Sequence, residues 1–140
     1  MSNEDNGEFQ RSLEKASYKQ VMEVFKNTEK ACLFLEGESK KNCPVDQGPL
    51  RAAMFHDVQL NPKEIVGTVA NSMSYAACVH QGTGIYAVDG NGRKTPWVFT
   101  VSSGKYKGTH ITVGQRPQPF LEYSKIFNKD KINNILGGAR

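Results

Sequence analysis

No apolar run in this chain approaches the roughly 18 residues that a membrane-crossing helix requires, so no such helix is expected. There are only three cysteines, Cys32, Cys43 and Cys78, odd in number and far apart. That spacing argues against a disulfide framework. With His56, His80 and His110 they offer metal-ligand chemistry, but the close Cys-x-x-Cys pairs of a zinc site are missing. Free, buried or half-buried thiols are the ordinary reading, and no metal or other cofactor is expected. Residues 1–7 are polar and acidic, unlike a secretory signal. There is no internal repeat and no low-complexity tract.

Catalytic patterns are equally scarce. Asp46 and Asp57 stand beside no nucleophile, and Ser102-Ser103-Gly104 is not a nucleophile elbow. The glycines at 82, 84, 90 and 92 have neither P-loop nor dinucleotide-binding spacing. His80 before Gln81-Gly82-Thr83 has the form of a base beside an anion nest, but a lone histidine at a helix end more often caps or packs. The chain is therefore read as non-enzymatic.

What is present is an ordinary globular composition. The 140 residues, 38% hydrophobic and 23% charged, suit one domain with one modest core. We read 1–8 as a flexible tail, 9–136 as that domain and 137–140 as a second tail. The formal charge of +4 is too mild to identify a nucleic-acid-binding protein unless the cations cluster.

Apolar residues recur near a 3.6-residue period over 8–38 (Phe9, Leu13, Ala16, Val24, Ala31, Leu35), which predicts a long helix ending near Gly37. At 1.5 Å per residue it would span about 45 Å, longer than a small core needs. It should kink or project onto a partner subunit. Pro44, a turn through Asp46 and Gly48, and Pro49 predict a joint with one or two helical turns after it. Residues 55–60 and 65–69 alternate as a hairpin about the Asn61-Pro62 turn. Residues 75–81 read as a short helix stopped by Gly82. Residues 83–96 form a loop expected to be mobile in the free monomer, and 97–101 and 109–113 form two arms of a long hairpin. Pro117 and Pro119 set up a final helix with Phe120, Leu121, Ser124, Phe127 or Ile126, Ile132 and Ile135 on its apolar side. The fold class is α+β. A small antiparallel sheet is expected to pack against the long N-terminal helix and the C-terminal helix.

Arg93, Lys94, Lys105, Lys107 and Arg116 admit two readings, solvated loop charges or a basic surface for DNA or an acidic partner. Trp97, the only tryptophan, is either an interface anchor or a core residue beside a strand.

Three motifs in order carry a resemblance. The first is Pro44, Val45, Asp46, Gly48, Leu50 and Arg51. The second is Tyr75, Ala76, Val79, Gly82 and Thr83. The third is Pro117, Pro119, Phe120 and Leu121. Together they resemble the head–tail joining (neck, tail-completion) family of long-tailed double-stranded DNA phages and prophages, over roughly residues 9–136. The chain departs from that pattern at Gln47, Pro49 and His80, where threonine, a basic residue and glutamate are usual. The resemblance implies a structural virion protein located in the neck or tail, and in the host cytoplasm during assembly. It implies a homo-oligomeric ring, with six copies as one size, contacting the connector or head-closure protein and the tail tube or tail terminator. DNA would pass through the lumen without sequence readout, and no membrane is involved. Under that reading Tyr86, Trp97, Phe99 and Tyr106 are interface candidates, with Arg93, Lys105 and Lys107 as lumen or partner charges. The three motifs supply shape. Alternatives are a tail terminator, a minor capsid component, or a small nucleic-acid-binding module using the basic hairpin.

Overall fold

The computed structural model describes residues 3–44 and 48–138, with side chains from residue 6 onward. Asp46 and Val45 of the first motif, and Gln47, therefore lie outside the described residues. In chain order the elements are α1 (Asn3–Asn42), α2 (Gly48–Ala52), β1 (Met54–Leu60), β2 (Ile65–Asn71), α3 (Ala76–Gln81), a 3-10 turn (Gly84–Tyr86), β3 (Trp97–Val101), β4 (Gly108–Thr112), α4 (Phe120–Phe127) and α5 (Lys129–Leu136). The architecture is α+β, as the sequence predicts, but the sheet is two separate antiparallel hairpins, β1-β2 and β3-β4.

The residues of the expected single domain fall into two compact units, each discontinuous in sequence. One takes the chain up to Gly37, Phe55–Ala70 and the chain from Asn128 onward. The other takes Glu38–Met54 and Asn71–Phe127.

In the first unit α1, β2 and α5 meet. Thr28, Ala31, Cys32 and Leu35 of α1, Ile65, Gly67 and Val69 of β2, and Ile132 and Leu136 of α5 line one shared cavity of about 240 Å³. Gly67 is there for proximity. A Cβ at that position would collide with the Cys32 Sγ and lie 2.9 Å from Thr28 Cγ2. The strand can therefore lie close to the helix only without a side chain. Across this unit His56 Nδ1 on β1 meets the Glu36 carboxylate on α1.

Helix α1 begins at Asn3, so it covers most of the stretch read as a tail, and it runs through Gly37 to Asn42. A mid-helix glycine costs about 1 kcal/mol relative to alanine. The helix nevertheless continues past it to Ser39, which is fully buried, and Cys43 just beyond its end is nearly so. Every residue from 8 to 21 is exposed, roughly 20 Å of helix at 1.5 Å per residue. This portion carries Phe9, Leu13 and Val21, and Val24 follows, also exposed.

In the second unit the core is Leu50 and Phe120, with Met54, Ala76, Val79 and Cys43 around them. The last turn of α1 reaches α4 through Asn42 Nδ2, which donates to Ser124 Oγ at 2.8 Å. Ser124 Oγ in turn donates to the Phe120 carbonyl at 2.6 Å. Asn71 Nδ2 donates to the Leu50 carbonyl at 2.6 Å, fixing the strand end against α2. The single C-terminal helix expected from sequence is two helices. Asn128, at φ −112° and ψ 16°, interrupts it. Ile126 and Phe127, read as helix-core positions, are exposed.

Phe120 is 1% exposed, so Phe120→Ala removes a filled core position. It should cost about 3–5 kcal/mol. Urea unfolding of the two proteins measures this directly, and a loss under about 1 kcal/mol would mean that Phe120 does not occupy the core.

Candidate functional site

The second and third motifs meet in a backbone clasp. Thr83 N–H donates to the Gln115 carbonyl at 2.9 Å, and Ile85 N–H to the Val113 carbonyl at 3.1 Å. Gln115 N–H returns a bond to Thr83 Oγ1 at 3.0 Å, and Gln118 N–H reaches the Val79 carbonyl at 2.9 Å. Two glycines make the approach possible. Gly84 has φ +62° and Gly114 φ +128°, and a Cβ on either would strike the opposing backbone. Gly82, at φ +80°, is wedged between Pro117 Cδ and the carbonyls of Tyr86 and Gln115. Such positive φ values favour glycine in any case.

The remaining motif residues serve the same unit. Tyr75 precedes α3 and its carbonyl accepts from Val79 N–H at 3.1 Å. Pro117 and Pro119 are half-buried, and Leu121 follows the buried Phe120. His80 meets Phe120 edge-on at 5.7 Å between ring centres, which is a packing contact. In the first motif Pro44 is half-buried, Gly48 opens α2, Leu50 is fully buried, and the Arg51 guanidinium donates to the Cys43 carbonyl at 3.3 Å.

The loop expected to be mobile is extensively bonded. Residues 84–86 make a 3-10 turn, Val88 N–H donates to the Gln81 carbonyl at 3.1 Å, and Asn91 N–H to the Asp89 carboxylate at 3.0 Å. Gly92 sits so close to Gly84 that a Cβ there would collide with the Gly84 carbonyl. From sequence, Asp89 to Gly92 is either flexible or tightly turned, and here glycine and asparagine sit in tight turns.

Beyond the clasp stands the β3-β4 ribbon. Its register pairs Trp97 with Thr112, Val98 with Ile111, Phe99 with His110 and Val101 with Gly108. Side chains alternate between faces along a strand. Trp97, Phe99 and His110 therefore share one face, and Val98 and Ile111 the other. Phe99 and His110 stack at 5.4 Å with 29° between planes. Val98 is 60% and Ile111 75% exposed.

Five of the sequence-predicted interface residues, with Arg116 of the basic loop charges, form three cation–aromatic pairs. Arg93 lies over the Trp97 ring at 5.6 Å, Lys105 over Tyr106 at 5.1 Å and Arg116 over Tyr86 at 5.4 Å. Trp97 is half-buried, between the two sequence readings, and Lys107 is exposed beside Tyr106. Sequence reasoning places His110 near the basic tip of the hairpin with Lys105 and Lys107, but misses Val98 and Ile111 as surface features. The alternation of 97–101 was the available signal. Among the described residues no three His, Cys, Asp or Glu side chains are placed to hold a metal ion, and no helix is long and apolar enough to cross a membrane. No family model, curated protein or solved structure matches this chain.

The thiols differ in accessibility. Cys32 and Cys43 are buried, and burial raises both above the usual thiol range; Asp57 adds to the rise at Cys32, while Arg51 partly offsets it at Cys43. Cys78 is exposed. Maleimide at neutral pH should label one thiol quickly in the native protein and three in denaturant. Prompt labelling of all three in native protein would contradict the burial of Cys32 and Cys43.

Proposed function

We infer that this chain is a structural virion protein of a tailed phage or prophage that joins the tail to the head connector or completes the tail. It acts by assembly, as a ring through which DNA passes. The observation that carries this reading is exposed apolar surface on two unrelated elements. One patch is the α1 stretch with Phe9, Leu13 and Val24, and the other is the Val98–Ile111 face of the ribbon. A ring closes through head-to-tail contacts, which need two different patches on each subunit. Exposed apolar side chains gathered on one element mark interaction sites when they form a patch. The three family-like motifs support the reading further, since their described residues all lie in the second unit and shape its core and clasp. A tail terminator would use the same surfaces.

Light scattering of the purified protein, alone and mixed with tail tubes of the phage or prophage that encodes it, tests this. Negative-stain images should show rings, or a cap on one tube end. The double variant Leu13→Glu, Ile111→Glu should be a folded monomer that leaves tubes bare. A wild-type monomer that ignores tubes would overturn the proposal.

A further inference from the structure

Opposite charges border the two exposed apolar surfaces of this chain. From Gly90 to Leu121 there is no aspartate and no glutamate, while Arg93, Lys94, Lys105, Lys107 and Arg116 all fall within that stretch. All five cations are exposed. Before Arg11 the bias is reversed, with Glu4, Asp5 and Glu8 and no lysine or arginine. The chain's mild net charge hides both.

Each bias lies beside apolar side chains. On the ribbon Val98 and Ile111 pair across the strands, and both are exposed. Thr100 and Thr109 share their face, with the two hydroxyls 3.3 Å apart. Lys105 and Lys107 lie in the turn between β3 and β4, and Arg93, Lys94 and Arg116 lie just outside the opposite end of the strands. On α1 Phe9 and Leu13 are exposed, and their spacing of four puts them on one face. Glu8 is exposed next to Phe9. The lengths agree as well. The exposed stretch 8–21 spans roughly 20 Å of helix, and a five-residue strand spans about 17 Å.

We propose that the exposed start of α1 in one copy lies on the Val98–Ile111 face of the ribbon in the next copy. Phe9 and Leu13 meet Val98 and Ile111, and Glu8 lies among the ribbon's cations. This rests on the ring reading and names which two surfaces meet in it. A polyanion such as DNA would match the cations but leave Val98 and Ile111 in water. An uncharged apolar partner would bury those two and leave the cations unmatched. An acidic helix start with apolar side chains satisfies both, and the chain itself carries one. Ribbon against ribbon would set cations against cations, which is unfavourable. Contact between unlike patches is head-to-tail, the kind that closes a ring.

Leu13→Glu spoils the helix surface and leaves the ribbon intact, and Ile111→Glu does the reverse. Both positions are exposed, so both variants should keep the wild-type circular dichroism spectrum. Analytical ultracentrifugation, well above the concentration at which the wild type assembles, should find each variant alone monomeric. An equimolar mixture should give a dimer and nothing larger, because one intact pair of surfaces remains. The double variant should join neither. Glu8→Lys added to the Ile111→Glu chain should weaken the mixed dimer about fivefold, the upper size of an exposed ion pair. It should also make the dimer less sensitive to salt. A mixture that stays monomeric overturns the proposal. So does a dimer of either variant alone, since a patch would then mate with its own kind, and so does a mixed dimer indifferent to both Glu8→Lys and salt. Tail tubes play no part in the mixture. Wild-type rings without a mixed dimer would remove this contact alone, and a mixed dimer with tubes left bare by the wild type would remove the virion role alone.

Discussion

The second unit depends on the backbone clasp between residues 82–85 and 113–118. Hydrogen bonds from Thr83, Ile85, Gln115 and Gln118 close it. Its tightness comes from what is missing, because Gly84 and Gly114 approach each other with no room for a Cβ. Each bond is worth only about 1 kcal/mol net, and Ile85, Gln115 and Gln118 are themselves exposed, so no single bond would hold the approach. The clasp therefore works as a set. It brings α3 and the 3-10 turn to the end of β4, and it delivers the chain to Pro119 so that Phe120 enters the core beside Leu50. The ribbon springs from this clasp, so the same constraint that shapes the core also aims the ribbon.

Stiff residues made much of this legible in the sequence. Pro49 beside Gly48 predicted the short α2, Gly82 the end of α3, and Pro117 and Pro119 the start of α4. Strand alternation gave both hairpins to within a residue or two. What the sequence did not disclose was tertiary in origin. Gly37 reads as a helix stop, yet α1 runs past it to Asn42, with Ser39 buried on the way. The periodicity of 120–135 is continuous, yet the break at Asn128 turns Ile126 and Phe127 outward. Nothing in the pattern of strands tells whether two hairpins join edges, and here they do not. The loop through Gly90 and Gly92 reads as either flexible or tightly turned because glycine permits both, and only three-dimensional neighbours, such as the Gly84 carbonyl against Gly92, decide between them.

The candidate site was legible in its residue types and not in its arrangement. Tyr86, Arg93, Trp97, Lys105 and Tyr106 were singled out from sequence, but their pairing as cation over ring needed coordinates. The two-faced character of the ribbon follows from strand register, which sets His110 beside Phe99 on one face and Ile111 beside Val98 on the other. A lone two-stranded ribbon is marginal in water. Val98 and Ile111 are exposed on one of its faces, and Trp97, Phe99 and His110 share the other. The stretch of α1 from 8 to 21 is likewise exposed, Phe9 and Leu13 included.

The account stands on a clasp formed within the isolated chain, which makes the ribbon a preset arm rather than a loop that orders on binding. Amide hydrogen exchange of the free protein tests that most directly. The amides of Thr83, Ile85, Gln115 and Gln118 should exchange slowly and together, far behind those of residues 93–95. If the clasp amides exchange as fast as those of 93–95, the arm is not preset and the account fails at its base.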